Sequence, residues 1–200
     1  MSTAGNEPAE IIQALLDFLS RIAPLELGHA VSGSVASSLF GEPRPSADCD
    51  VVVDLPAARL DEFVAALGAD YYVPRDSAMR AIEAGSSFNV IHLPTSSKID
   101  IFVAGKAEPH REQLQRRVRQ PLVRGGEPVW LFSPEVMVVA KLSWFRRGGG
   151  VSDRQWRDVL GILKVQAGRL DEAWMRRHAA ALGVSDLLER ALRLQGQPPQ

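Results

Sequence analysis

Residues 48–54, DCDVVVD, constrain the fold more than any other stretch of the chain. Three consecutive valines favour a β-strand, and successive side chains of a strand point to opposite faces of its sheet. Every second residue from Asp48 to Asp54 then lies on one face, which carries three carboxylates, and the residues between them form an apolar second face. The chain therefore folds around a sheet whose apolar face is covered and whose other face holds like charges close together.

The size and charge of the chain limit the class of protein. Its 200 residues, 46% of them hydrophobic, are enough for one compact domain, with or without a helical appendage. The net charge of −1 excludes a protein that binds polyanions through a generally basic surface, so any nucleic-acid contact requires a local basic patch. Cys49 is the single cysteine, which excludes an intrachain disulfide. The chain has no apolar run as long as a membrane span and no leader of signal-peptide type, so we expect a cytoplasmic protein without membrane contact.

Hydrophobic periodicity and turn residues predict an α/β chain with a mixed sheet, followed by helices. Ser34 is the predicted N-cap of one helix, and Ser133 with Pro134 is predicted to begin another. The close spacing of the third and fourth strands favours an antiparallel pair. Predicted strands cover residues 28–33, 48–54, 87–93, 98–104 and 128–132. Predicted helices cover residues 8–22, 34–40, 57–69, 77–85, 109–120, 133–147 and 152–166, and the chain from there to about residue 194. We expect an α/β domain over residues 1–132 and a helical region packed on it over residues 133–200.

A third acid occurs in the strand predicted at 98–104, where Asp100 is flanked by isoleucines and shares a face with Lys98 and Phe102. Carboxylates that lie close together repel each other, and a buried lone charge is costly, so a divalent cation between them would stabilise the arrangement. Mg²⁺ prefers such hard oxygen ligands and is often shared with substrate phosphates. The alternative is that Asp48 is a turn residue, Asp50 faces solvent and Asp100 pairs with Lys98 or an arginine.

Gly33 and Ser34 lie where a predicted strand turns into a helix. Glycine allows close approach of a ligand to the backbone, and the free N–H groups of a helix start can bind phosphate oxygens. The serine hydroxyl is a further donor. Alone this pair is a common helix start, but here it precedes an Asp-x-Asp strand after a short helix and a loop.

The combination of Gly33-Ser34, Asp48-Cys49-Asp50-Val51 and the later Asp100 resembles the nucleotidyltransferase fold of the DNA polymerase β superfamily. The resemblance covers about residues 28–166. It implies that Asp48, Asp50 and Asp100 are catalytic and hold two Mg²⁺ ions, and that Gly33 and Ser34 bind a nucleoside triphosphate. One metal would activate an acceptor hydroxyl and the other would stabilise the leaving pyrophosphate.

More narrowly, the chain is similar to bacterial nucleotidyltransferase-like proteins related to the AbiEii toxin of type IV toxin–antitoxin systems. The motifs are Lys98-Ile99-Asp100, Lys141 in a helix, and Arg157-Asp158 in the next helix. The last motif usually continues to a second aspartate, where this chain has Gly161. The resemblance implies that Lys98, Lys141 and Asp158 bind the nucleotide. It also implies RNA, such as a tRNA end, as acceptor and a cognate antitoxin as partner, with a protein hydroxyl or an aminoglycoside as other acceptors.

The residues themselves leave alternatives open. Lys141 lies in a helix that is apolar almost all round, so its ammonium either contacts a triphosphate, snorkels to solvent or forms a structural ion pair. Asp158 is an exposed helix acid or a residue that orients Lys141. Arg44 is an ordinary loop arginine or a phosphate ligand.

The segment 111–124 carries five arginines against one glutamate, either as a solvated helix face with a flanking loop or as a contact for an anionic acceptor. For the chain as a whole, the alternative to an enzyme is a non-catalytic nucleotide- or partner-binding module that keeps the fold.

Overall fold

The computed structural model describes residues 10–45 and 48–195. Within these ranges the strands form one mixed seven-stranded sheet with the order β3-β4-β5-β2-β1-β7-β6. The predicted α/β class with a mixed sheet flanked by helices is confirmed. The strands are β1 His29–Val31, β2 Cys49–Val53, β3 Tyr71–Tyr72, β4 Ser87–His92, β5 Ser97–Val103, β6 Arg117–Pro121 and β7 Pro128–Phe132.

The centre of the sheet brings together four strands, β5, β2, β1 and β7, whose order in the sheet differs from their order in the sequence. β2 pairs in parallel with β5 and antiparallel with β1, and β1 pairs in parallel with β7. β4 and β5 form the antiparallel pair that their short connection predicts. In β2 the side chains alternate between buried and half-buried, so one face of the sheet is core and the other is partly open.

Helices cover both faces of the sheet. α1 lies against the core face, where Cys49 Sγ is 3.7 Å from the Ile11 carbonyl oxygen, and α3 packs beside α1. α2 packs on β2 and on the two helices α6 and α7. The helices are α1 Glu10–Ile22, α2 Gly33–Phe40, α3 Leu60–Leu67, α4 Arg75–Ala84, α5 Glu108–Gln115, α6 Pro134–Arg147, α7 Asp153–Val165, α8 Glu172–Ala181 and α9 Ser185–Gln195.

One hydrophobic core runs from the sheet into the C-terminal helices. It includes Val51 and Ile101 of the strands, Leu142 of α6 and Trp174 of α8, all at most 1% exposed. The division at residue 132 stays a prediction. None of the helices within the described ranges combines the length and the apolar character that a membrane span requires.

Several local predictions are confirmed and others are wrong. Ser133 is the N-cap of α6 and accepts a hydrogen bond from the Val136 N–H, as predicted. The N-cap position of α2 is Ser32 rather than the predicted Ser34, because the helix already begins at Gly33, and the Ser32 side chain makes no capping hydrogen bond. The helix predicted over 109–120 ends at Gln115, and residues 117–121 instead form β6, which pairs with β7. β3 was not predicted. The start of the first helix at Pro8 lies outside the described residues.

Candidate active site

Two of the predicted acids lie side by side on the open face of the sheet. Asp50 of β2 and Asp100 of β5 are directly paired residues of the parallel ladder. Residues paired in register project to the same face, so both carboxylates point away from the α1 core. The same parity places Phe102 on this face, as the sequence predicts. The alternation of apolar and acidic residues in two separate strands thus produces one shared acidic site.

Gly33 is required at this position by its conformation and by its contact with Asp50. Its φ of +60° is a left-handed conformation that side-chain-bearing residues rarely adopt. A methyl carbon built on Gly33 would lie 2.8 Å from Asp50 Cβ and closer still to the Asp50 carboxylate. The start of α2 therefore rests directly on the acid, which explains why the Gly-Ser turn and the Asp-x-Asp strand occur together.

The environment of Asp50 opposes its charge. Burial raises the pKa of Asp50, and the neighbouring Asp100 carboxylate raises it further, while the ammonium of Lys141 and a hydrogen bond from the Ser34 backbone N–H act in the opposite direction. The Ser34 N–H, one of the donors predicted for a phosphate, thus bonds to Asp50 here. The Ser34 hydroxyl lies 3.5 Å from the Asp48 carbonyl oxygen.

Asp100 is only partly satisfied by the protein. Its Oδ2 lies 3.1 Å from Lys98 Nζ, whereas its buried Oδ1 has no hydrogen-bond partner in the part of the chain that the structure describes. Lys98 Nζ also lies 3.5 Å from Asp48 Oδ1, so the ammonium bridges the two carboxylates. The side chain of Asp48 is 55% exposed at the rim and that of Asp100 is 18% exposed. The ion pair between Asp100 and Lys98, considered above as the alternative to a metal site, is therefore present.

Within the described residues, no group of three His, Cys, Asp or Glu side chains is arranged as a ready metal site. The residues nevertheless fit a divalent cation at Asp50 and Asp100. A buried carboxylate oxygen without a partner and two repelling carboxylates are both stabilised by a hard cation. Lys98 is 42% exposed, which leaves its ammonium free to move aside. Participation of Asp48 as a third ligand stays a prediction.

The lysine and the aspartate of the two later motifs form a buried ion pair beside the acids. Lys141 Nζ lies 2.7 Å from Asp158 Oδ2 and donates to Gln155 Oε1 at 3.1 Å, and Lys141 is 4% exposed. Arg44 donates Nε and Nη2 to the two oxygens of Asp158 at 2.9 and 3.1 Å. Lys141 therefore forms the structural ion pair that the sequence left open, and its contact with a triphosphate stays a prediction. Asp158 is buried, not an exposed helix acid.

The pKa values in this network follow from burial and pairing. Burial lowers the pKa of Lys141, against the opposing effect of Asp158. Burial would raise the pKa of Asp158, but the hydrogen bonds from Arg44 and Lys141 outweigh it and hold that pKa below its usual range. The carboxylate of Asp158 is therefore ionised between two cations.

A cleft of about 590 Å³ opens over these residues and includes several that the sequence analysis missed. Trp144 is 48% exposed, its ring centroid lies 5.7 Å from that of Phe102, and the Arg147 guanidinium lies over it. Arg154 and Gln155 line the same cleft. Helical spacing could have identified three of these residues, since Trp144 follows Lys141 by three positions and Gln155 and Arg154 precede Asp158 by three and four.

The departure from the Arg-Asp motif at Gly161 has a packing cause. α2 ends against α7, and a methyl carbon on Gly161 would lie 3.2 Å from the Glu42 backbone nitrogen. A methyl carbon on Gly41 would lie 2.8 Å from the Ile162 nitrogen. Because the two backbones are in such close contact, a side chain at position 161 would require residue 42 to move by a few tenths of an ångström.

Two solved structures share this architecture over most of the chain. One is an antigenic nucleotidyltransferase-like protein from Paracoccidioides brasiliensis, with a TM-score of 0.52 and 18% identity over 92% of this chain and 93% of that chain. The other is ANT(2″)-Ia in complex with adenylyl-2″-tobramycin, with a TM-score of 0.54 and 14% identity over 88% of this chain and 98% of that chain. No protein-family model and no curated protein matches the sequence. Identities this low establish the fold alone, and the chain has the nucleotidyltransferase fold.

Proposed function

We propose that the protein is a magnesium-dependent nucleotidyltransferase that moves a nucleoside monophosphate from a nucleoside triphosphate to an acceptor hydroxyl. The observation that carries this proposal is the acidic pair of Asp50 and Asp100 beside Gly33, together with a buried Asp100 oxygen that no group of the described residues satisfies. Its support from known proteins is the fold shared with nucleotidyltransferase-like structures, one of which is a complex with an adenylylated aminoglycoside.

Each residue of the site has a role in this proposal. The Asp100 carboxylate would accept a hydrogen bond from the acceptor hydroxyl and take its proton. The hydroxyl oxygen then forms a bond to the α-phosphorus as the bond from that phosphorus to the leaving pyrophosphate breaks. Gly33 leaves room for Asp50 at the start of α2. Lys141, together with Lys98 and the start of α2 at Ser34, would bind the triphosphate, and Asp158 would orient Lys141.

Mg²⁺ held by Asp50 and Asp100, with Asp48 at the rim, would supply charge neutralisation at the phosphates when bound. Apart from that, catalysis would consist of holding the acceptor and the α-phosphorus in line. The narrower predictions of an RNA or protein acceptor, an AbiEii-type toxin role and a cognate antitoxin rest on sequence motifs alone.

Calorimetry with ATP, CTP, GTP and UTP, with and without Mg²⁺, tests the binding step. We expect at least one triphosphate to bind only with Mg²⁺, and Asp50→Asn to abolish that binding. Asp76→Asn is the matched control, since it removes the same charge at the exposed first turn of α4. Its binding should equal that of the wild type.

Transfer itself is tested with α-labelled triphosphates incubated with total RNA, protein and small-molecule acceptors. Label on an acceptor that depends on Asp100 supports the enzyme. Tight, metal-independent triphosphate binding that survives Asp50→Asn would contradict it and favour the non-catalytic binding module.

A further inference from the structure

The open face of the sheet continues beyond the acids to the far edge, β7 and β6. Ala30 of β1 is paired with Val52, so it shares the face of Asp50, and its neighbour Val31 is paired with Leu131 on the opposite face. Trp130 therefore lies on the face of the acids, as alternation in β7 requires. Arg119, paired with Trp130, and Arg117, paired with Phe132, lie there as well.

This edge carries a stack of guanidinium groups and an indole. The guanidinium carbons of Arg117 and Arg119 lie 4.6 and 5.6 Å from the centroid of the Trp130 ring. Arg111, on the exposed side of α5, lines the same cavity of about 580 Å³ together with Arg117 and Trp130. We call these four residues, Arg111, Arg117, Arg119 and Trp130, the arginine–tryptophan surface.

Two of the three guanidinium groups of this surface bond to backbone carbonyls, and none of these bonds neutralises a charge. Arg117 Nη1 donates to the His29 carbonyl oxygen at 3.0 Å, and Arg119 Nη2 donates to the Pro128 carbonyl oxygen at 2.7 Å. Within the described residues, no ion pair joins Arg111, Arg117 or Arg119 to an acid, although Asp54 lies on the cavity wall. Arg116, in the same basic run, shows the contrast: it bonds to Asp171 at 3.1 Å and stacks on Trp174, so its role is structural. Three guanidinium groups that have no carboxylate partner among the described residues, two of them over an indole, complement a ligand that has both phosphates and planar rings.

The surface and the catalytic cleft adjoin. α5 lies between them, with His110 and Gln113 lining the cleft and Arg111 lining the second cavity. Asp54 lines the second cavity and follows Asp50 of the cleft by four residues. Four residues of extended chain span about 13 Å, which is the approximate distance between the two sites. A single strand of two or more nucleotides that follows the sheet face can therefore reach from one cavity to the other.

We propose that the arginine–tryptophan surface binds a single-stranded polynucleotide through its phosphates and bases. Guanidinium planes and indoles stack on bases of any sequence, and the arginine charges release counterions from the phosphates. Binding of a polynucleotide at this surface requires no transfer chemistry, so this proposal can be tested independently of the proposed function.

The test is fluorescence anisotropy of a fluorescein-labelled 12-nucleotide single-stranded RNA at several salt concentrations. We expect Arg111→Glu/Arg119→Glu to weaken binding at least tenfold. We also expect this variant to reduce the magnitude of the slope of log affinity against log salt concentration by about 1.4, because each of the two lost phosphate contacts contributes about 0.7. Arg80→Glu/Arg193→Glu, which changes the same charge at two exposed arginines of α4 and α9, should change the affinity less than threefold.

Trp130→Leu separates stacking from charge, and we expect at least fivefold weaker binding with the salt slope unchanged. If the first double variant does not fold, Arg111→Gln replaces it, because this side chain lies on the exposed surface of α5. The proposal is overturned by absence of RNA binding in the wild type, by equal losses in the control variant, or by poly-glutamate competing as well as RNA. Magnesium-dependent triphosphate binding, measured on the same variants, should be unchanged.

Discussion

Gly33→Ala tests the contact on which the candidate site is built. At φ +60° an alanine costs about 1–2 kcal/mol of backbone strain. The added methyl also lies 2.8 Å from Asp50 Cβ and closer to the carboxylate, an overpacking that costs about 1–3 kcal/mol. The two contributions together lower the free energy of unfolding by about 3.5 kcal/mol at their midpoints.

Gly168→Ala separates the two contributions. Gly168 has φ +74°, and a methyl built on it meets no atom of the described residues within 4 Å. This control therefore carries the backbone strain without the contact. Thermal unfolding followed by circular dichroism should show Gly33→Ala melting about 6 °C below Gly168→Ala, from about 2 kcal/mol of overpacking and about 3 °C per kcal/mol for a chain of this size.

Binding of the triphosphate provides the second measurement. Because the methyl displaces the Asp50 carboxylate, Gly33→Ala should lose magnesium-dependent triphosphate binding, whereas Gly168→Ala should keep it. Equal melting temperatures for the two variants, together with retained binding in Gly33→Ala, would refute the argument that Gly33 positions Asp50.

Three further predictions concern charges and the thiol. Burial and the Asp100 carboxylate raise the pKa of Asp50, so the charged form of Asp50 destabilises the fold once the pH exceeds the ordinary aspartate pKa of about 4. In the absence of divalent cations, Asp50→Asn should therefore raise the melting temperature at pH 7. This gain should vanish as the pH is lowered towards about 3.5. A lower melting temperature at pH 7 would contradict this. Asp158→Asn should lower the free energy of unfolding, measured by urea denaturation, by about 3–5 kcal/mol, because it leaves the buried Lys141 ammonium without its carboxylate. Adding Lys141→Met should recover part of this loss, and an unchanged stability of Asp158→Asn would argue against a buried ion pair. Burial raises the pKa of the Cys49 thiol to about 12, so a thiol reagent at pH 8 should label the folded protein no faster than it unfolds, and rapid labelling of the native state would show the thiol to be accessible.

The strands that carry the acids could be predicted from the sequence because the alternation of apolar and polar residues is a local pattern. Alternation in residues 48–54 and 98–104 predicts the faces of Asp50 and Asp100, and the ladder pairs these two residues directly. The edge of the sheet was harder to predict. Residues 117–121 show no alternation of apolar and polar residues. They form β6 because they pair with the edge of β7, and such tertiary pairing is not encoded in the intrinsic strand propensity of the segment.

The contacts between side chains were outside the reach of sequence patterns. Arg44 lies in a loop 114 positions before Asp158, and nothing in the spacing indicates that its guanidinium binds that carboxylate. Lys98 and Asp100 share a face by alternation, but whether the lysine turns to solvent or bridges to Asp48 depends on rotamers. The residue types of the site were therefore predictable, while their pairing was not.

The ion pairs of the site distribute positive and negative charge unevenly across the cleft. Asp158 carries one negative charge between the cations of Arg44 and Lys141, so this wall is positive by one charge, and Lys141 lowers the pKa of the facing Asp50. On the side of the sheet, Asp48, Asp50 and Asp100 line the cleft, and the Lys98 ammonium lies beside Asp48 and Asp100. A triphosphate with its metal would place its free oxygens towards the positive wall and its metal towards the acids, because the reverse arrangement brings like charges together. On the proposed function, an acceptor hydroxyl would then approach from the side of Asp100, and this side of the cleft is the one on which acceptor specificity should be sought.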